Sequence, residues 1–476
     1  MSKFENPYNF VPALPREQVT GPLGDARPAG HGRYQPDLWS GRIAVRLTTE
    51  TPLLLVDASL QLEKEKDHKT YGMRKNADGR PYLPPTSLRG MLRAAFEAVT
   101  NSRMGVFEAH DKKLELRKPT TAGNSRTVRG QFDNAPVHLL GEGLQPARNL
   151  AELSPADRVF GWVKGNGNEK KGSAYKGQLR IGATKCLTDD AIENLGATGV
   201  PLAILGQPKP AQAGFYCAAD RQGAPLSERT PKAGGYKPGH GLRGRKVYIH
   251  HRLTVDDPKA PLGTLRYWDA GQSAEAPLER KKITIYREWR RVGNVGDGQN
   301  RSICEWIKPQ TAFRFDIQVS NLSDVELGAL LWLLQLPGNH FFRLGGGKPL
   351  GFGSVRLEIE NDGIDLCNGE AMAANFRDLL NAATKGERIT TLADCEAPRA
   401  VFEEALKQAY VEPAKKNNIL QAFLNAAKGS NLPVHYPRRV AAPCPEAKIF
   451  DWFVDNEKAG KRTLPQLWDE ERSLEL

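Results

Sequence analysis

Five glycines, Gly345, Gly346, Gly347, Gly351 and Gly353, surround one lysine, Lys348, in the stretch FFRLGGGKPLGFGSV, residues 341–355. Glycine tolerates positive φ and lets a backbone approach a ligand closely. Successive amides in such a loop can aim N–H donors at a phosphate, and Arg343 and Lys348 supply the matching charge. A nucleotide-binding P-loop needs Ser or Thr after the lysine, because that hydroxyl holds Mg²⁺. Here Pro349 follows Lys348. A dinucleotide-binding fingerprint leads from a strand into a helix. This loop follows a helical pattern and opens onto the alternating strand pattern VRLEIE. Two readings stay open: a clamp on a nucleic-acid backbone, and a flexible hairpin connection.

Two basic clusters have the same character. Residues 235–252 hold Lys237, Arg243, Arg245, Lys246 and Arg252 beside Tyr236 and Tyr248, and residues 279–291 hold Arg280, Lys281, Lys282, Arg287, Arg290 and Arg291 beside Tyr286 and Trp289. Cations take phosphates and rings stack bases, so this interleaving suits a single strand. The plainer reading is a solvated strand face. His250 and His251 are adjacent and so point opposite ways along a strand, which places them poorly for a shared metal.

Composition agrees with the clusters. The chain has 476 residues and a formal net charge of +12, a surplus that points to polyanions. Its 39% hydrophobic content supports a packed core. None of the six cysteines lies in a CxxC pair, which argues against a zinc ribbon, and their long spacings fit reduced thiols in a cytoplasm. The polar, proline-broken start reads as no signal peptide. The longest apolar run, residues 327–336, is too short to span a bilayer, so no membrane partner is expected.

The elements that must position these residues can be read in order. Residues 1–40 form an extended arm rich in Pro and Gly, with Tyr8, Phe10 and Trp39 as anchors. Alternation predicts strands within 41–56, 177–187, 311–321 and 354–360. A first helix follows PYLPP, with Thr86 or Ser87 as N-cap and Leu88, Leu92, Ala95 and Phe96 on its apolar face; a second starts at Ser323 or Asp324. The order β-α-β-β-α-β is that of an α+β, ferredoxin-like (RRM-like) platform, which many RNA binders use. The platform domain spans 41–365, interrupted by an insertion at about 188–308, and 366–476 is a helical C-terminal region.

Three motifs, which lie along this chain in the same order as in the family, resemble the RAMP superfamily of CRISPR systems. LGGGKPLGFGSVRL resembles its glycine-rich motif, DGRPYLPPTSLRGMLRAAFE the helix start of type III backbone subunits, and RVFGWVKGNG…YKGQLRIGATKC the segment leading into their second strand. The resemblance implies a cytoplasmic guide-RNA-binding subunit of a type III effector complex, with guide RNA (crRNA), target RNA and other CRISPR subunits as partners. Ser87 and Arg89 at the helix start, with Arg243, Arg245, Lys246, Arg343, Gly345, Gly346, Gly347, Lys348, Gly351 and Gly353, would contact RNA. Similar subunits cleave target RNA with a divalent metal and an aspartate between the first strand and first helix. Asp57, Asp67 and Asp78 lie there; Asp67 is the best match, beside His68. Mg²⁺ or Mn²⁺ would be required only if this site is catalytic. The alternatives are a stand-alone guide-processing endoribonuclease using His68, and a non-catalytic basic interaction module.

Overall fold

The computed structural model describes the chain apart from residues 1–2, 63–67, 106–110, 120–125, 165–172, 207–208, 252–274, 279–282, 287–288, 292–294, 378–385, 411–418, 431, 433, 439–448, 470–472 and 476. Six elements in chain order carry the main layer: β1 (Trp39–Thr49), α1 (Pro85–Val99), β2 (Leu179–Ile181), β3 (Ala312–Leu322), α2 (Asp324–Leu334) and β4 (Ser354–Asn368). The mixed α+β class is as expected. The strands lie in the order β2-β3-β1-β4 with every neighbour antiparallel. The short strand Phe342–Arg343 adds to β4.

Alternation along the strands sends one face inward. Val45 pairs with Phe315 and Ile359, and Leu47 pairs with Phe313 and Leu357. On this floor α1 lays Leu88, Leu92 and Phe96, all fully buried in the same core. Burying each such side chain contributes about 1.5–3 kcal/mol. The opposite face is polar: Arg42 pairs with Asp316 at 3.6 Å and Arg314 with Glu360 at 2.7 Å. The rings of β3, Phe313 and Phe315, point into the core. The open face therefore presents paired charges rather than rings for stacking.

Helix boundaries follow their caps. α1 begins at Pro85 behind Pro84, not at a Thr86 or Ser87 cap. Proline fits the first helical position because the amide it lacks would have no partner there. At α2 the expected Ser323 cap forms a reciprocal box: Ser323 Oγ accepts from the Glu326 amide at 3.4 Å, and Glu326 Oε2 accepts from the Ser323 amide at 3.1 Å. α2 is apolar all round, which requires burial on every side. α1 packs against it, and so does α3 (Glu396–Ala409). The α2–α3 approach is close enough that a side chain at Gly328 would collide with the Pro398 carbonyl. α4 (Ile419–Lys428) packs on α1 with Ala422, Phe423 and Ala426 buried.

The outlying segments fold onto this layer. Tyr8–Val11 of the arm pairs antiparallel with Arg245–Tyr248, and Lys3–Phe4 pairs with Leu474–Glu475. Tyr8, Phe10 and Trp39 are buried. Within the insertion, Val200–Pro201 and Arg301–Ile303 join the hairpin of Val56–Leu62 and Lys69–Met73 in a second four-stranded sheet. A small core of its own lies here, where Trp289 meets Trp306 at 5.1 Å and Phe352 at 5.9 Å between ring centroids.

Candidate nucleic-acid interface

The glycine loop is pinned at both ends. Arg343 faces Ser354 across a two-residue ladder, Leu344 lies in the main core, and Phe352 lies in the insertion's core. Gly345, Gly347, Gly351 and Gly353 have φ of +74°, +64°, +97° and +75°, a region that side chains other than glycine adopt only at a cost. A side chain at Gly345 would strike the Leu54 carbonyl, one at Gly353 the Leu344 carbonyl, and one at Gly347 would lie 2.7 Å from Phe352. These glycines let the loop pass close to its own chain. The amides of Leu344, Gly346 and Gly353 donate to Gly353, Leu54 and Pro52 carbonyls at 2.7, 3.0 and 2.8 Å. The expected row of donors is thus largely spent internally. Among the described residues, the amides of Gly345, Gly347 and Lys348 meet no acceptor.

A cleft of about 750 Å³ lies between this loop, α1 and Arg245–Tyr248. Ser87, Lys246, Arg343, Gly345 and Lys348 line it, so the fold brings together residues expected from three distant parts of the sequence. Tyr248 is half-buried in its wall. Lys246 Nζ sits 5.3 Å from the Tyr248 ring centroid and 4.0 Å from that of Tyr8, and Lys348 Nζ sits 5.8 Å from Tyr248. Desolvation lowers the pKa of both ammoniums, and the neighbouring Arg343 charge lowers that of Lys348 further. Among the described residues no carboxylate forms an ion pair with either ammonium, which favours an arriving anion. Arg343 donates to the Lys348 carbonyl at 2.7 Å and to Ser354 Oγ, which braces the loop.

Other expected contacts are placed differently. Arg243 is buried and donates to the carbonyls of Leu464 and of Pro465 at 3.0 Å; burial brings its pKa down to about 10. Arg245 is in the lining of the cleft, but it is buried, donates to Asn101 Oδ1 at 2.8 Å and to the Ser102 carbonyl, and lies 3.6 Å from Glu97. Both tie chain segments together, because an unsatisfied buried guanidinium is too costly to leave. Tyr236 is buried with its hydroxyl donating to Pro210, and Trp289 is a core residue, so neither ring is open to a base. Arg89 is exposed, donates to the Phe160 carbonyl and lines a different cleft. Of the second basic cluster, Arg280, Lys281, Lys282 and Arg287 lie outside the described residues, as does Arg252.

The expected catalytic residue Asp67 also lies outside the described residues. His68 is half-buried, with its ring nitrogens bonded to the Asp297 carbonyl at 2.9 Å and Ser302 Oγ at 2.8 Å, and it does not line the cleft. Asp57 accepts from Ser59 Oγ and amide at 2.7 and 2.9 Å and from Arg74 at 3.4 Å, and these bonds hold its carboxyl below the ordinary range. Among the described residues, no group of three or more His, Cys, Asp and Glu side chains is placed to hold a metal ion. No described helix is long and apolar enough to cross a membrane.

The sequence reading missed the cleft's apolar floor. Phe341 and, from α4, Phe423, Ala426 and Ala427 supply it. The apolar spacing of α4 marks a packing face but cannot say that part of that face borders a charged cleft.

Comparison with curated proteins gives no match. Among solved structures, a chain from one titled "Type IV-B CRISPR Complex" aligns at 16% identity and a TM-score of 0.27, covering 67% of this chain and 90% of that one. The family model described as "RAMP superfamily" matches residues 46–356, which takes in the end of β1, α1, the insertion and the glycine loop. That match covers more than half of the chain, and the chain belongs to the RAMP superfamily.

Proposed function

We propose that this protein is a guide-RNA-binding subunit of a type III CRISPR effector complex, acting in antiviral defense in the cytoplasm with other effector subunits. The sheet β2-β3-β1-β4 then serves as a ferredoxin-like platform. Its strand order, and the packing of α1 and α2 against one another, support that reading. The observation that carries the proposal is the convergence of Ser87, Lys246, Arg343 and Lys348 on one cleft with Tyr248 in its wall. Ammonium groups and a ring can hold phosphates and a base face without reading base edges. Sequence selection is then left to pairing between guide and target.

The test is purification of the chain with the products of its neighbouring genes, followed by sequencing of the bound RNA. The proposal expects a uniform population of short RNAs with repeat-derived ends. A complex free of RNA, or carrying random cellular fragments, would contradict it. Within this reading, target cleavage belongs to the connection between β1 and α1, where Asp67 would take Mg²⁺ or Mn²⁺ and position the attacking 2′-hydroxyl. Asp67→Ala should then abolish metal-dependent cuts in complementary RNA and leave guide binding intact. A cut persisting at full rate would remove Asp67 from that role.

A further inference from the structure

A second cleft, of about 860 Å³, opens on the neighbouring face of α1. Helical spacing separates the two faces: Thr86, Arg89 and Arg93 line the second cleft, while Ser87, Gly90 and Ala94 line the first. The second cleft is strongly basic. Arg89, Lys176 and Arg180 are exposed in it and Lys164 is half-buried. Asp157 is the acid among its described lining residues, and Arg93 at 2.9 Å and Ser154 Oγ at 2.7 Å already satisfy it. Its wall includes Tyr175, half-buried, with His31 stacked on the ring at 5.3 Å between centroids. The two clefts share Arg93 and Gly105. A side chain at Gly105 would lie 2.6 Å from Arg93 Nη2, so glycine here leaves the guanidinium its place between them.

A run of cations with a ring in the wall suits a single strand's backbone. The shared wall makes the two clefts parts of one track. We propose that a single RNA strand held in the first cleft continues past α1 into the second, where Arg89, Lys176 and Arg180 take its phosphates. This rests on the RNA-binding reading above, but it uses residues that the first cleft does not.

The experiment measures the affinity of the full chain for labelled single-stranded RNAs graded from about 4 to 16 nucleotides, the range of site sizes for such grooves. It compares the unaltered protein with Lys176→Ala/Arg180→Ala. Both side chains are exposed, and a matched melting temperature establishes that the variant is folded. The proposal expects equal affinity for the shortest RNAs and a growing deficit for longer ones. At the longest RNA, the slope of log K against log salt should fall by about 1.4, from about 0.7 per lost single-strand contact. The charge-conserving Lys176→Arg/Arg180→Lys should restore long-RNA binding. No deficit at any length, or an equal deficit at every length, would overturn the second cleft while leaving the first intact. An unaltered protein that binds none of these RNAs would overturn the RNA-binding reading itself, and this inference with it.

Discussion

Lys246 and Lys348 approach the same ring, Tyr248, from segments about a hundred residues apart in the chain. Their burial fixes the sign of a pH effect. Both pKa values lie below the ordinary 10.5, so these lysines lose their charge before an exposed lysine does. RNA affinity should therefore decline as pH rises toward 10.5, earlier than ordinary lysines would allow. For these two lysines the unfolded chain binds more protons than the folded one in this window, so their contribution to stability grows as pH rises, while the buried thiols and phenols, whose pKa values burial raises, contribute with the opposite sign. Binding measured over an alkaline series, with Lys246→Ala/Lys348→Ala alongside, checks the sign; affinity that stays flat to the ordinary lysine range would count against the lysines. Arg245 should behave differently. Arg245→Ala leaves Glu97 buried, where desolvation already raises its pKa and Arg245 is the largest opposing influence. Losing a buried partner costs about 3–5 kcal/mol, so the defect should show in the melting temperature rather than selectively in RNA affinity. The sequence RGRK could not separate these roles. It records three basic side chains but not which of them is tied to Leu464, which to Asn101 and which is left to the cleft alone.

At the scale of elements, the glycine loop separates legible from illegible. Its composition announced positive φ, and four of its glycines have it. It did not announce that the close neighbour is Leu54 or Leu344 of the same chain rather than a ligand. Gly346 is the exception: it is exposed, and an added Cβ would meet nothing closer than Leu54 at 3.8 Å. Gly346→Val should thus fold normally and weaken RNA binding by crowding the rim of the cleft. Gly353→Ala should instead destabilise the fold by about 1–3 kcal/mol or more, from the strained φ and the collision with Leu344. Melting and RNA titration of the two variants together check the contrast. Equal RNA affinity in folded Gly346→Val would argue that the rim is not used. The α2 cap was legible because Ser323 and Glu326 hold the spacing of a reciprocal box. The start of α1 was misplaced because Thr86 and Ser87 outweighed the proline that in fact opens the helix.

Across the whole molecule, the order of strands and helices could be read from period alone, because each of those elements is local. The partners of the arm could not. Tyr8–Val11 pairs with a strand more than two hundred residues away, and that pairing builds the wall that carries Lys246 and Tyr248. The insertion, whose bounds show in the sequence but whose partners do not, completes a sheet with the connection that follows β1 and seats Phe352 of the glycine loop. The cleft is thus a product of arm, helix, insertion and loop together. Its function is tested most directly by single-stranded RNA binding to the full chain across a salt series, with Lys246→Ala/Lys348→Ala alongside. The account predicts that the slope of log K against log salt falls by about 1.4 for two lost contacts, alike for RNAs of unrelated sequence and with an unchanged melting temperature. An unchanged slope in the folded double variant, or a loss confined to one RNA sequence, would contradict it.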